Sequence, residues 1–153
     1  MSLYLVQHAK CLSKEQDPEK GLSGQGAADA TRIAEVAAGY KVPVSGIVHS
    51  GKKRALQTAE IFSGFLAPPN GLTKMEGLNP LDDVVSFSER LDSAANTMVV
   101  GHLPFMEKLA AYLITGAVEK PVFKFQNAGI VCLDLHPDSG SWVVRWALMP
   151  DIS

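Results

Sequence analysis

The chain has 153 residues, of which 46% are apolar and 20% charged, and a formal net charge of −2. That length suits one domain with a buried core, and the composition is that of a globular protein rather than a disordered or fibrous one. The slight acidity argues against nucleic acid as the main partner, because phosphate backbones select basic surfaces. No apolar run reaches membrane-spanning length, so no membrane partner is expected.

Leu3-Tyr4-Leu5-Val6 marks a buried strand over residues 2–7. It starts at the second residue, which leaves nothing for a targeting peptide, and a cytoplasmic location is expected. Residues 9–22 are polar and contain Asp17-Pro18 and Gly21, the composition of a loop. Ser23 suits the N-cap of a helix from Gly24 to about Gly39, with Ala27, Ala30, Ile33, Ala34, Ala37 and Ala38 at helical spacing. Ile47-Val48 is the core of a second strand. A helix from about Gly51 to Phe65 follows, with Ala55, Ala59, Ile61, Phe62 and Phe65 turned inward. Pro68-Pro69-Asn70-Gly71 is a turn, and residues 72–81 read as irregular. Asp82 or Asp83 begins a helix to about Ala94, acids in a first turn being favoured by the helix dipole. Thr97 to Val100 is a third strand. Pro104 falls in the first turn of a helix that ends near Thr115-Gly116. Two closing strands, 129–135 and 142–148, are joined at Pro137-Asp138-Ser139-Gly140. Strands interleaved with helices predict a three-layer α/β/α sandwich, with a mainly parallel sheet and an antiparallel edge.

Three strand ends carry reactive side chains: Gln7-His8-Ala9-Lys10, His49-Ser50 leading to Gly51-Lys52-Lys53-Arg54, and Gly101-His102-Leu103-Pro104. Open α/β sheets bind ligands at the carboxyl edge, so these groups are expected to share one pocket. A neutral imidazole at His8 is a nucleophile toward phosphorus if an acceptor fixes its tautomer, and backbone near residues 9–22 is one source of that acceptor. Arg54, in the first turn of a helix whose amides favour anions, can grip two phosphate oxygens. His102 can donate to an equatorial oxygen as charge develops. The plainer readings are a packed strand-end histidine, a solvated charge of a Lys-Lys-Arg run, and a helix-capping histidine. A leaving oxygen needs an acid, and Glu76, Asp82 and Asp83 are the nearby carboxyls, with capping the plainer role for the aspartates. His49 and His136 are weaker candidates. Cys11 and Cys132 lack the close spacing of zinc or redox pairs, and read as free thiols. No His/Cys/Asp/Glu cluster has metal-ligand spacing, and no Walker loop or dinucleotide fingerprint is present, so neither a metal nor a cofactor is expected.

Taken in order, Leu5-Val6-Gln7-His8-Ala9-Lys10, Leu22-Ser23-Gly24-Gln25-Gly26, Ser50 through Ala59 and Val99 through Pro104 resemble the histidine phosphatase superfamily. Within that superfamily they resemble the small SixA-type phosphohistidine phosphatases, over nearly the whole chain. The resemblance implies a phosphoglycerate mutase-like fold and a phosphatase that needs no metal. It makes His8 the transiently phosphorylated nucleophile, sets Arg54 and His102 on the phosphoryl oxygens, and puts Glu76 roughly where relatives keep their acid. The departure is Gln7, where the family pattern has arginine. Glutamine keeps a donor but loses the charge, and Lys10 is a candidate to replace it, so Gln7 and Lys10 join the expected phosphate-binding residues. The implied substrate is a phosphorylated protein side chain, phosphohistidine above all, because the chain has little spare length to roof its site. Two rivals remain: a degenerate module that binds phosphate with little or no hydrolysis, and a phosphatase of a small phosphorylated metabolite.

Overall fold

A computed structural model describes residues 1–152. The elements run β1 (Ser2–Gln7), α1 (Gly24–Gly39), β2 (Gly46–His49), α2 (Lys53–Leu66), β3 (Leu72–Lys74), α3 (Val84–Ser88), β4 (Thr97–Gly101), α4 (Phe105–Thr115), β5 (Ile130–Leu135) and β6 (Trp142–Leu148). The strands form one sheet in the order β3-β2-β4-β1-β5-β6. β1, β2, β3 and β4 pair in parallel, while β5 runs antiparallel to both β1 and β6. Parallel neighbours need crossover connections, so helices cover both faces.

Alternation along the strands separates two cores. Tyr4 and Val6 join Ile47, Met98, Val100 and Ile130 against α1 and α2, through Ile33, Ala34, Ala37, Ala55, Ala59 and Phe62. Leu3 and Leu5 join Val99, Val131 and Leu133 against α3 and α4, through Val84, Phe87, Phe105, Met106 and Leu109. This is the expected sandwich, with its antiparallel edge at β5–β6. In this architecture β1, β2 and β4 all end at the same side of the sheet, which is what brings residues 8, 50–54 and 102 to one place.

Local chemistry accounts for the starts of the helices. Ser23 accepts from the Gly26 amide at 3.0 Å and so caps α1. A β-carbon at Gly26 would lie 2.0 Å from the Lys10 carbonyl oxygen, so only glycine lets α1 start against the segment that carries His8. Gly51 bends the chain into α2 at φ +89°, a conformation that costs glycine little.

Four expectations change. Residues 72–74 are not irregular but form edge strand β3, paired with Ile47–His49; three residues are too few for a periodic signal. The helix expected to reach Ala94 stops at Ser88. Asp83 caps its start, but past Phe87 the side chains bond locally, with Asp92 accepting from the Ala94 amide at 2.8 Å and closing a turn that competes with helix. Phe65 is 40% exposed rather than inward, because α2 turns Ala55, Thr58, Ala59 and Phe62 to the sheet. Pro104 sits at the N-cap of α4, one position before its first turn.

Candidate active site

His8 leaves β1 with its backbone held from three directions. Its amide donates to Gly101 O at 2.9 Å on β4, and its carbonyl accepts from Asn127 Nδ2 at 2.8 Å. The next amide, Ala9, donates to Thr58 Oγ1 on α2 at 2.9 Å, and that hydroxyl donates to Arg54 O at 2.8 Å. The ring is fixed as well. Nδ1 lies 2.7 Å from Ala9 O, and a carbonyl can only accept, so Nδ1 carries the proton and Nε2 keeps its lone pair. Burial lowers the His8 pKa to about 4; the Ala9 hydrogen bond opposes that shift, and the charges of Arg54 and Lys20 add to it. The imidazole is therefore neutral near pH 7, the form a nucleophile requires.

His102 leaves β4 almost fully buried, at 1% exposure. Its ring centroid is 5.1 Å from that of His8, with 53° between the planes. Nε2 lies 2.6 Å from Ser50 Oγ, and Nδ1 is buried with no partner. Burial lowers the His102 pKa to about 3, with further contributions from His8, Arg54, Lys52 and Lys20.

Arg54 is the second residue of α2, a 14-residue helix whose N-cap, Lys52, makes no side-chain cap. The helix thus presents uncapped amides as well as a guanidinium, both favourable to an anion. Among the described residues no carboxylate pairs with Arg54, whereas Lys53 next to it is bound by Asp17 at 2.9 Å and Glu19 at 3.6 Å. That pairing holds Asp17 down to about 2, through Lys53 first and the Gly21 and Glu19 amides next. It anchors the turn that carries Lys20 beside the first turn of α2.

The structure thus brings His8, His102 and Arg54 into one electrostatic neighbourhood. Gln7 ends β1 beside them, half-buried, with its Oε1 buried and unpaired. Lys10 is exposed, and the lysine whose charge is felt at both imidazoles is Lys20. Glu76 lies past the end of β3 with an exposed carboxylate 3.6 Å from Lys74, and it is not among the charges acting on either imidazole. Asp82 accepts from the Asn79 amide and Asp83 from the Val85 amide, so both serve as local caps. His49 accepts from the Gly51 amide and His136 from the Asp138 amide. Cys11 is half-buried and bridges its backbone to Leu22, and Cys132 is buried; both are free.

Four contributors escaped the sequence reading: Ser50, Lys20, Asn127, and Thr58 in its role as a link. Ser50 carried a usable signal, a hydroxyl at a strand end in front of a glycine. Lys20 and Asn127 carried none, since each lies in a polar segment and reaches the site only through the fold. Among the described residues no three His, Cys, Asp or Glu side chains gather as a metal site, and no helix is long and apolar enough to cross a membrane.

The architecture is the phosphoglycerate mutase-like fold, with two neutral imidazoles and, among the described residues, an arginine free of carboxylate partners at its strand ends; the structural neighbours that share it are members of the histidine phosphatase superfamily. Within that class the structural neighbours include SixA phosphohistidine phosphatases. The protein histidine phosphatase SixA, solved with tungstate, superposes with a TM-score of 0.84 at 27% identity, covering 98% of this chain and 97% of that one. A SixA-type protein from Agrobacterium tumefaciens gives 0.78 at 24% identity, over 97% of each chain. The alpha-ribazole phosphatase of Shigella flexneri gives 0.77 at 15% identity, over 100% of this chain and 98% of that one. No family model matches the sequence, and neither does any curated protein.

Proposed function

We propose that the chain is a phosphatase working through a phosphohistidine at His8, with phosphohistidine in a protein as its substrate. The observation that carries this reading is the His8 ring, held by Ala9 O so that a lone pair remains on Nε2, with its centroid 5.1 Å from that of the His102 ring and within the field of Arg54. Nε2 attacks phosphorus, forming a P–N bond while the bond to the leaving nitrogen of the substrate breaks. That nitrogen keeps the electron pair and takes a proton from solvent. Water then attacks the phosphoryl group on His8, the P–N bond breaks back to Nε2, and inorganic phosphate departs. Arg54, the α2 amides and His102 hold the oxygens in both steps. Among the described residues no carboxylate is among the charges acting on His8 or His102, which suits a leaving group that needs little protonation. The connections after β2 and β4 are only residues 50–52 and 102–104 and add no roof of their own, which leaves residues 8–23 as the long segment beside the site and favours a side chain on a protein surface.

The test is to quench turnover of a labelled phosphodonor with denaturant and to look for acid-labile label on His8. Turnover by His8→Ala would overturn the reading. A panel of phosphohistidine, sugar phosphates and an aryl phosphate separates the protein substrate from a small metabolite. Gln7 motivates a second reading, phosphate binding without hydrolysis. That reading requires phosphate affinity with no turnover in the natural chain, and turnover appearing in Gln7→Arg.

A further inference from the structure

His102 is nine-tenths buried and more, yet one of its ring nitrogens has no partner. A buried polar atom left unpaired is costly, so such an atom in a site points to a ligand that completes it. What that ligand must be depends on whether Nδ1 carries a proton. Ser50, at the end of β2, decides this.

The Lys52 amide donates to Ser50 Oγ at 3.3 Å, occupying one lone pair of that oxygen. The other contact of the hydroxyl is His102 Nε2, at 2.6 Å. If the ring donated to Ser50, the hydroxyl proton would have no acceptor of its own among the described residues, in a buried position. If Ser50 donates to Nε2, the hydroxyl proton is placed, and the ring proton lies on Nδ1, the single group left open for a ligand. The second arrangement is also the one that binds phosphate. Nδ1 without a proton would set a lone pair against a phosphoryl oxygen, whereas Nδ1–H donates to it.

We propose that Ser50 is a positioning residue that fixes the tautomer of His102, donating to Nε2 so that Nδ1–H is held for an oxygen of the phosphoryl group. The identity of that oxygen rests on the phosphatase reading above; the tautomer does not. The two histidines then carry their protons on the same ring atom for different ends. In His8 the Nδ1 proton is spent on Ala9 O and frees Nε2 to attack, and in His102 it is kept for the anion.

The experiment is long-range 1H–15N NMR of the histidine rings in the whole chain at pH 7 without substrate. The expected result is that His102 shows a protonated Nδ1 and a bare, hydrogen-bond-accepting Nε2. The reverse pattern overturns the proposal whatever the protein hydrolyses. Ser50→Ala should lose the single pattern and bind orthovanadate about 10-fold more weakly, the lower end of what a hydrogen bond to a charged group is worth. Ser50→Thr, which keeps the hydroxyl, should restore both. Unchanged tautomer and vanadate affinity in Ser50→Ala would also overturn the proposal. If Ser50→Ala does not fold, the ring pattern of the natural protein still decides. A protein with the expected ring pattern that hydrolyses neither phosphohistidine nor any phosphomonoester would sink the phosphatase reading and leave this one standing.

Discussion

The strand ends of β1 and β4 and the segment after β3 meet solvent at the same edge of the sheet, but they are built differently. At β1 the backbone groups on either side of the His8 ring are tied down, the His102 carbonyl accepts from the Met106 amide, and both rings are neutral and oriented. After β3, the Glu76 carboxylate is exposed and pairs with Lys74, while Asp82 and Asp83 cap local turns. The fold orients both imidazoles, and among the described residues it places no carboxyl group among the charges acting on them. On the phosphatase reading proposed above, that arrangement suits phosphorus–nitrogen bonds better than esters of poor leaving groups.

That contrast can be broken most sharply at His8. His8→Ala should lower kcat/KM by on the order of 10⁴-fold or more, the scale seen when a nucleophile is removed, measured on phosphohistidine with folding checked by circular dichroism. Arg54→Met comes next, at about 10²–10³-fold, as for loss of one oxyanion contact. Lys20→Met should cost about 3- to 10-fold and flatten the salt dependence of KM, whereas Lys10→Met should do neither; equal effects would place the compensating charge elsewhere. Glu76→Gln is the smallest, a change of less than about 2-fold on phosphohistidine, and a loss near 10²-fold would make it the acid after all.

Acidity sharpens the same comparison. His8 and His102 titrate near 4 and 3 in the folded chain, against 6.5 for a free imidazole. The acid limb of kcat/KM should therefore fall near pH 4 rather than near 6.5. Stability follows a related course. Above pH 6.5 neither state protonates these rings. Below it the unfolded chain takes up protons that the fold refuses, so stability declines as pH falls and levels off only below about 3. Urea titrations across that range should show the decline, and His102→Gln should reduce its slope.

Much of this was legible beforehand because the signals were long or local. β1 is an apolar run that leads into His8, and α1 has a serine cap, alanines at helical spacing and a stop, so their bounds in the structure agree with the reading. The three strand-end residues stood out because each follows such a run. β3 was illegible because three residues carry no period, and the stretch after Phe87 was misread because Val85 and Leu91 continue a helical pattern that Asp92 interrupts. Lys20, whose charge acts on both imidazoles, sits at φ +54° in a turn pinned by Asp17 and Lys53. No spacing rule measures that distance, because the pin joins residues 36 positions apart.

One oxygen atom has a wider reach than its size suggests. Thr58 Oγ1 receives the amide that follows the nucleophile and returns its own proton to the carbonyl of the residue bearing the guanidinium. The turn of α2 that bears Arg54 is in this way fastened to the segment that bears His8. Because His8 is itself tied to β4 and to Asn127, a slide of α2 along the sheet would have to break this fastening, which therefore resists any change in the spacing of the two side chains.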